Sequence, residues 1–384
     1  MKELKRTWAE ISLDNLKYNM DSLMKPLPEG CRFLGVVKAD AYGHGAVAVS
    51  RELETLGAGY LAVSNYEEAL QLRREDIKLP ILILGYTPPE FAPELSALNI
   101  TQEVHCLSYG KALSKHLAGR ELKVHLKVDT GMSRLGFFAY DRPETLPELE
   151  EVSALPGIRV EGIFMHFAVS DDPGEEEYTC LQYQRFMTLV NGLKVRPEIV
   201  HCCNSGGTVA YPAFCHDMVR PGIATYGLAP SAELMGMCDL KPLMSFKTTV
   251  AAIRPFSEGI TVSYGRTYKT PADRIIAVCP VGYADGFNRR LTGQVEVLLH
   301  GKRVPVVGRI CMDMCMIDIT DVPETQVGDT VTLVGTDGSE TITWDDWTEK
   351  LGTISYELVC SVNKRVPRVY LKNNEVMDTL RYII

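Results

Sequence analysis

The sequence predicts an α/β fold in which an N-terminal (β/α)8 barrel of the TIM type is followed by a C-terminal, mostly-β domain. Three observations carry this expectation. Up to about residue 230, eight apolar strand-like runs alternate with helical stretches, the pattern of parallel βαβ units. Beyond about residue 240 the texture changes to alternating or β-branched runs punctuated by Gly and Asp. The length, 384 residues, exceeds the usual single domain and leaves room for a barrel plus a smaller unit. The expected domains are residues 1–240 and residues 241–384, with residues 1–11 a candidate strand of the second domain.

Taken in order, Ser12 is a good N-cap for a helix through Leu13, Leu16 and Tyr18. The eight barrel strands are expected at 33–37, 60–63, 81–84, 103–107, 124–128, 160–165, 199–202, and 218–219 with 223–226. Strands of the second domain are expected at 249–253, 275–278, 295–299, 316–319 and 330–334. There Asp337-Gly338 predicts a hairpin turn, His300-Gly301-Lys302 a second turn, and helical periodicity nearly disappears. In a barrel of this kind, reactive side chains belong at the C-terminal ends of the strands.

Composition narrows the function. The net charge is −9 and the basic residues are interspersed with acidic ones, which argues against a nucleic-acid or membrane surface. The start, Met1-Lys2-Glu3-Leu4-Lys5-Arg6, is charged and no window approaches the length of a membrane span, so a cytoplasmic location is expected. Eleven cysteines fall largely in apolar runs without disulfide or zinc spacing and read as small buried hydrophobes, so no metal is expected. Small molecules and a second copy of the chain are the expected partners.

The chemistry starts at Val36-Val37-Lys38-Ala39-Asp40-Ala41-Tyr42-Gly43-His44-Gly45. A Lys at the end of a buried parallel strand is partly desolvated, which lowers its pKa and frees the amine for Schiff-base chemistry. After the seventh strand, Cys203-Asn204-Ser205-Gly206-Gly207 offers a hydroxyl and backbone N–H groups where barrels commonly hold phosphate, and Gly222 and Ile223 can add donors. Met218-Val219-Arg220-Pro221-Gly222 sets an arginine beside them. These motifs together resemble those of the bacterial alanine racemases, which use pyridoxal 5′-phosphate, and the resemblance spans nearly the whole chain.

The resemblance implies a set of roles. Lys38 would hold the cofactor and serve as acid/base on one face of the substrate, with Tyr42 in the same motif among the cofactor contacts. Arg220 would face the cofactor's pyridine nitrogen; because Arg only donates, that nitrogen stays unprotonated and the ring becomes a poorer electron sink, which suits returning a proton to the same carbon. Tyr264, in Ser263-Tyr264-Gly265-Arg266, would serve the other face. A phenol with a pKa near 10 is a slow base at neutral pH, and His166, itself bonded toward Arg220, would assist it. Arg134 would approach the substrate carboxylate, with Lys127 carbamylated; the alternative for Lys127 is a pairing with a carboxylate such as Asp129. Tyr283, Met312 and Asp313 would line the substrate's path, and Tyr356 would narrow the pocket and reach the phosphate. In the family Tyr264, Tyr283, Met312 and Asp313 act on the neighbouring subunit's site, so a homodimer with shared sites is implied.

The expected function is interconversion of L- and D-alanine, supplying D-alanine for peptidoglycan. Racemisation of serine, or broad amino-acid specificity, is the nearest alternative, with Tyr356 favouring a methyl side chain. A decarboxylase of similar architecture would want a carboxylate where Arg220 stands. A non-catalytic pyridoxal-phosphate carrier would lack the β domain and Tyr264.

Overall fold

The computed structural model describes residues 6–383. Eight parallel strands occur in chain order, Arg32–Val36, Tyr60–Val63, Ile81–Ile83, Ile100–Val104, Leu122–Asp129, Ile158–Phe164, Ile199–His201 and Met218–Val219. Each pairs with the next through the seventh, and the eighth pairs with the first. The remaining seam is closed by two backbone bonds, Asp217 N to Val200 O at 3.1 Å and Arg220 N to Cys203 O at 2.9 Å. The result is a nearly closed eight-strand α/β barrel. Continuous apolar runs such as Tyr60–Val63 and Ile81–Ile83 are wholly buried, as strands covered on both faces must be. Intervening helices follow ordinary capping chemistry: the Asn65 side chain accepts from Glu68 N at 3.0 Å to start Tyr66–Arg74, which ends on Arg73 and Arg74.

Two expected barrel strands shift, and in the β unit the strand expected at 249–253 falls across the break between Met244–Thr249 and Ala252–Phe256. The fourth lies at Ile100–Val104 rather than 103–107, because Leu107 opens the helix Leu107–His116. The stretch 223–226 is a 3-10 turn, Ile223–Tyr226, closed by left-handed Gly227.

The chain divides into two compact units: residues 15–41 with 46–241, and residues up to 14 with 42–45 and 242–384. Of the candidate strand at 1–11, residues 1–5 lie outside the described ones. Thr7–Ser12 is a strand of the β unit, antiparallel to Met244–Thr249 and parallel to Arg368–Lys372. Around these runs an eight-stranded sheet, beside a three-stranded sheet of Ala252–Phe256, Arg274–Cys279 and Cys315–Asp318. The tight turn of the hairpin between Thr330–Asp337 and Glu340–Ile342 is Gly338-Ser339, one residue beyond the Asp337-Gly338 pair, because Asp337 pairs with Glu340. His300-Gly301 joins Leu299 to Lys302. Helix is not absent here: Trp344–Leu351 begins with a capping box between Thr343 and Asp346 and is followed by Ser355–Ser361.

The segment after the first barrel strand has the most unusual backbone. Ala39, Asp40, Ala41 and Tyr42 all have positive φ, between 52° and 56°, so Lys38–Tyr42 forms a left-handed helical turn. Such a turn costs roughly 1–2 kcal/mol per non-Gly residue and must be held by its surroundings. Glu68 holds it on one side, accepting from Ala39 N and Ser64 N, both at 2.7 Å; Asp40 accepts from Ala46 N at 2.8 Å. Gly43 follows at φ 80°, where an added Cβ would stand 2.4 Å from Val359 O.

Candidate active site

In the barrel unit the predicted residues gather at the C-terminal ends of the strands. Lys38 follows the first strand, Lys127 lies near the end of the fifth, His166 follows the sixth, Asn204 and Ser205 follow the seventh, and Arg220 follows the eighth. His166 is the focus of positive charge. Burial and then Lys127, Arg220, Arg134 and Lys38 in turn drive its imidazole well below the ordinary histidine range, so it is neutral.

Lys127 is 7% exposed, and burial, then Arg220 and Arg134, hold its ammonium well below the usual lysine range. It forms no ion pair with Asp129: that carboxylate is spent on the loop, accepting from Gly131 N at 2.9 Å and Ser133 N at 3.0 Å. The face of Phe164 serves instead, with Lys127 Nζ 4.5 Å and Arg220 Cζ 5.2 Å from its ring centre.

Arg220 is 3% exposed, and burial pulls its guanidinium down to about 10, so it remains charged at neutral pH. Its hydrogen bonds go to Met165 O at 2.7 Å, Cys202 O at 3.1 Å and His201 Nδ1 at 2.9 Å. The imidazole bonded to Arg220 is thus His201, correcting the expectation that His166 would be. The reason is geometric: His201 ends the seventh strand, beside the eighth, and stacks on Phe164 with centroids 4.9 Å apart. His201 Nε2 in turn meets His125 Nδ1 at 2.8 Å. Neither His125 nor His201 was predicted, although a histidine inside an otherwise apolar buried strand is a signal that sequence alone contains.

The phosphate-cradle candidates form a connected corner. Asn204 caps the helix Ser205–Ala210, its Oδ1 accepting from Gly207 N at 2.9 Å and Ser170 Oγ at 2.8 Å. Ser205 Oγ accepts from Gly222 N at 2.8 Å and Ala224 N at 3.3 Å, tying the seventh and eighth loops together. A buried hydroxyl and a short capped helix start beside the Gly222 backbone suit an anionic occupant, and the residues present fit pyridoxal phosphate.

The other predicted residues belong to the β unit. Tyr42 is buried, with its ring centre 6.1 Å from that of Tyr356. Tyr264 sits at the tip of a two-stranded ribbon, Thr261–Val262 with Tyr268–Lys269, and is 67% exposed. The preceding Ser263, at φ 66°, is anchored by Ser263 Oγ donating to Arg309 O at 2.6 Å. Tyr264, Met312 and Asp313 line one cavity of about 780 Å³, floored by apolar side chains such as Ile276, Val278 and Met316. Tyr283 lies on a neighbouring loop that pairs with the Met312 segment, Tyr283 N donating to Cys311 O and Ala284 N to Met312 O, both at 3.0 Å. Behind them Asp285, fully buried, accepts from Arg6 at 3.0 Å, Arg365 at 2.7 Å and Gly282 N at 2.9 Å, while Arg365 also donates to Asp313 at 2.7 Å. Arg6, Asp285 and Arg365 were not predicted; an Asp two residues after Tyr283 in a Gly-bounded motif was the available hint.

The family models described as alanine racemase, N-terminal domain, and alanine racemase, C-terminal domain, match residues 11–230 and 243–370. "Alanine racemase 1" of Clostridium acetobutylicum is 43% identical over 388 residues, covering 100% of both chains. Among solved structures, alanine racemase of Clostridium difficile 630 superposes with a TM-score of 0.94 at 38% identity over 100% of both chains. That of Bacillus anthracis with bound L-Ala-P gives 0.92 at 35% identity, covering 100% of this chain and 99% of the other.

Proposed function

The chain belongs to the alanine racemase family of amino-acid isomerases, and on that premise we propose that it interconverts L- and D-alanine with pyridoxal 5′-phosphate by a two-base mechanism. The observation that carries the reading is the ring of cations around neutral His166, with the buried arginine Arg220 in place of a carboxylate. The cofactor, when bound, supplies the electron sink that makes the substrate's α-proton acidic. Lys38 would anchor it covalently and exchange a proton on one face of the substrate. Arg220, a donor only, would keep the pyridine nitrogen unprotonated and so restrain side reactions. Asn204, Ser205, Gly222, Ile223, Tyr42 and Tyr356 would hold the phosphate, and Arg134 the substrate carboxylate.

A destabilised ammonium beside two guanidinium groups also favours carbamylation of Lys127. Once it has lost its proton to solvent, its Nζ lone pair attacks CO2, a second proton leaves, and the single negative charge of the carbamate offsets one of the two positive charges of Arg134 and Arg220. Release of CO2 from wild-type protein on acidification, absent from Lys127→Ala, tests this.

The second base would be Tyr264 of a partner copy. Tyr264 at 67% and Met312 at 52% exposed form, with Tyr283 and Met314, an apolar face that a homodimer would cover. Among the described residues no helix is long and apolar enough to cross a membrane. The proposal includes a cytoplasmic enzyme providing D-alanine for peptidoglycan, as membership of the family suggests. Serine remains the nearest other substrate, one hydroxyl larger. Incubating purified protein with a panel of L-amino acids and measuring each D-product tests the assignment. Preferential loss of optical activity from L-alanine is expected, and cofactor binding without racemisation of any of them would overturn it.

A further inference from the structure

A polar chain runs through the barrel interior away from the proposed ring-nitrogen site. It begins at Arg220, passes to His201 and then His125, and ends at Glu161, whose Oε2 lies 3.6 Å from His125 Nε2. Both histidines are fully buried and Glu161's side chain is 10% exposed. Glu161 is further held by Tyr60, whose hydroxyl donates to it while accepting from Thr101 at 3.0 Å, and by Lys123 at 3.3 Å. We propose that Glu161 is a positioning residue for Arg220, acting through His125 and His201 as a buried counter-carboxylate at the far end of a one-directional chain of donors. This rests on the role proposed above for Arg220.

The chemistry at the two ends fixes the direction. A guanidinium has no acceptor, so His201 Nδ1 must present a lone pair to Arg220 and carry its proton on Nε2. That proton is donated to His125 Nδ1, leaving the His125 proton on Nε2. An ionised carboxylate only accepts, and a bare Nε2 lone pair facing it would be repelled, so the N–H orientation satisfies this end as well. At 3.6 Å the last link is an electrostatic contact rather than a hydrogen bond, and His125 Nε2 has no other partner. The charges agree. Burial lowers both imidazoles below their ordinary range, His201 strongly, so both are neutral; Glu161, although burial works to raise it, is held at about 2 by His125, Tyr60 and Lys123. The groups facing His125 are Glu161, His201, Arg220 and Arg32, and only Glu161 is anionic.

The backbone is shaped for this arrangement. Val124 pairs with Val160 and His125 with Gly162, so Glu161 is the extra residue of a β-bulge in the sixth strand. Bulges re-aim a side chain, and here the bulged residue is the carboxylate of the chain. The next residue must be glycine, since a Cβ on Gly162 would stand 2.6–2.8 Å from three atoms of the His125 ring.

The test reads tautomers first. In wild-type protein labelled with 15N-histidine, with and without pyridoxal phosphate, His125 and His201 should both be neutral at pH 7 and Nε2-protonated, titrating only below the ordinary imidazole range; assignment uses His125→Gln and His201→Gln. A proton on His201 Nδ1 would overturn the proposal whether or not any variant folds. Glu161→Gln keeps the side chain's volume and an acceptor for Tyr60 but removes the charge. It should shift the His201 15N resonances, one imidazole removed from the substitution, and lower kcat/KM for L-alanine by about tenfold, the scale of one interaction with a charged group, with the thermal midpoint changed by less than the loss of a core contact would give. Unchanged His201 resonances, with or without altered stability, would assign Glu161 a structural role only and sink the idea. If wild type shows the expected tautomers but racemises nothing, it is the function of Arg220 that fails, not the chain of donors.

Discussion

In the barrel unit Lys127, His201 and Arg220 are at most 7% exposed, whereas in the β unit Tyr264 and Met312 are 67% and 52% exposed. The barrel residues have their charge states set by burial and by one another: neutral His166, neutral His201, a weakened Lys127 ammonium, a persistent Arg220 cation. Tyr264 stands at the surface of its own unit; what that unit supplies is position, through the anchor at Asp285 and the strained Ser263. One region has its charge states set by burial and the other is held in place at the surface, so on the proposed two-base reading Tyr264 would act only against the surface of a partner copy.

The comparison is tested most severely at Lys38. Lys38→Ala should remove the visible absorbance of bound pyridoxal phosphate and reduce racemisation by about 10⁴-fold or more, because anchor and proton-transfer group vanish together. Retained racemisation would place the chemistry elsewhere. The contrast is sharpened by mixing inactive Lys38→Ala and Tyr264→Phe proteins: random exchange makes half the dimers hybrids with one intact site in two, so roughly a quarter of wild-type activity should return. Demonstrated exchange with no recovery would mean that one chain provides both bases.

Asp285→Asn probes the positional side. Leaving Arg6 and Arg365 without their carboxylate should cost about 2–3 kcal/mol at pH 7, below the value for a fully buried pair because both arginines are partly exposed. Burial acts to raise the Asp285 pKa, but Arg365, Arg6 and Gly282 N hold it below the ordinary range. Its stabilisation is therefore present above the unfolded carboxylate pKa, near 3.9, and lost as pH falls through the folded one. Urea titrations at pH 7 and pH 3 should find the gap between wild type and variant narrowing at the lower pH. The smallest effect is expected at Tyr356: Tyr356→Asn should raise kcat/KM for serine relative to alanine by roughly 1–2 kcal/mol in transition-state discrimination. An unaltered ratio would show that Tyr356 does not select the methyl group.

Much of this was legible in the sequence because the barrel's strands are continuous apolar runs and its reactive residues stand at their ends, as Lys38 and Arg220 do. The fourth strand was misplaced because Ile100–Val104 includes Gln102 and Glu103, buried polar residues that break the apolar pattern. The helix Trp344–Leu351 was missed although its capping box is local, since eight residues give little periodicity to read. The partner of Arg220 was beyond a motif reading: His201 ends the seventh strand and His166 follows the sixth, and only the packing of the barrel strands decides which imidazole the guanidinium meets. Glu161 was hidden for another reason, because a bulge changes which face a residue occupies and the one trace it leaves beside it, Gly162, does not by itself signal a bulge.

The left-handed turn at Ala39–Tyr42 sets the local and global preferences of the chain against each other. Lys-Ala-Asp-Ala-Tyr contains good formers of the right-handed helix, so in the unfolded ensemble this stretch samples the opposite hand from the one it must adopt. Such local frustration opposes early ordering of the segment. Its native φ values should be fixed only after Glu68 and the strands around it have docked, giving mutations at Ala39 and Ala41 little influence on the folding rate and most of their influence on unfolding. Glycine, which disrupts ordinary helices, should slow unfolding here, making these alanines sites where the usual ranking of helix substitutions is inverted.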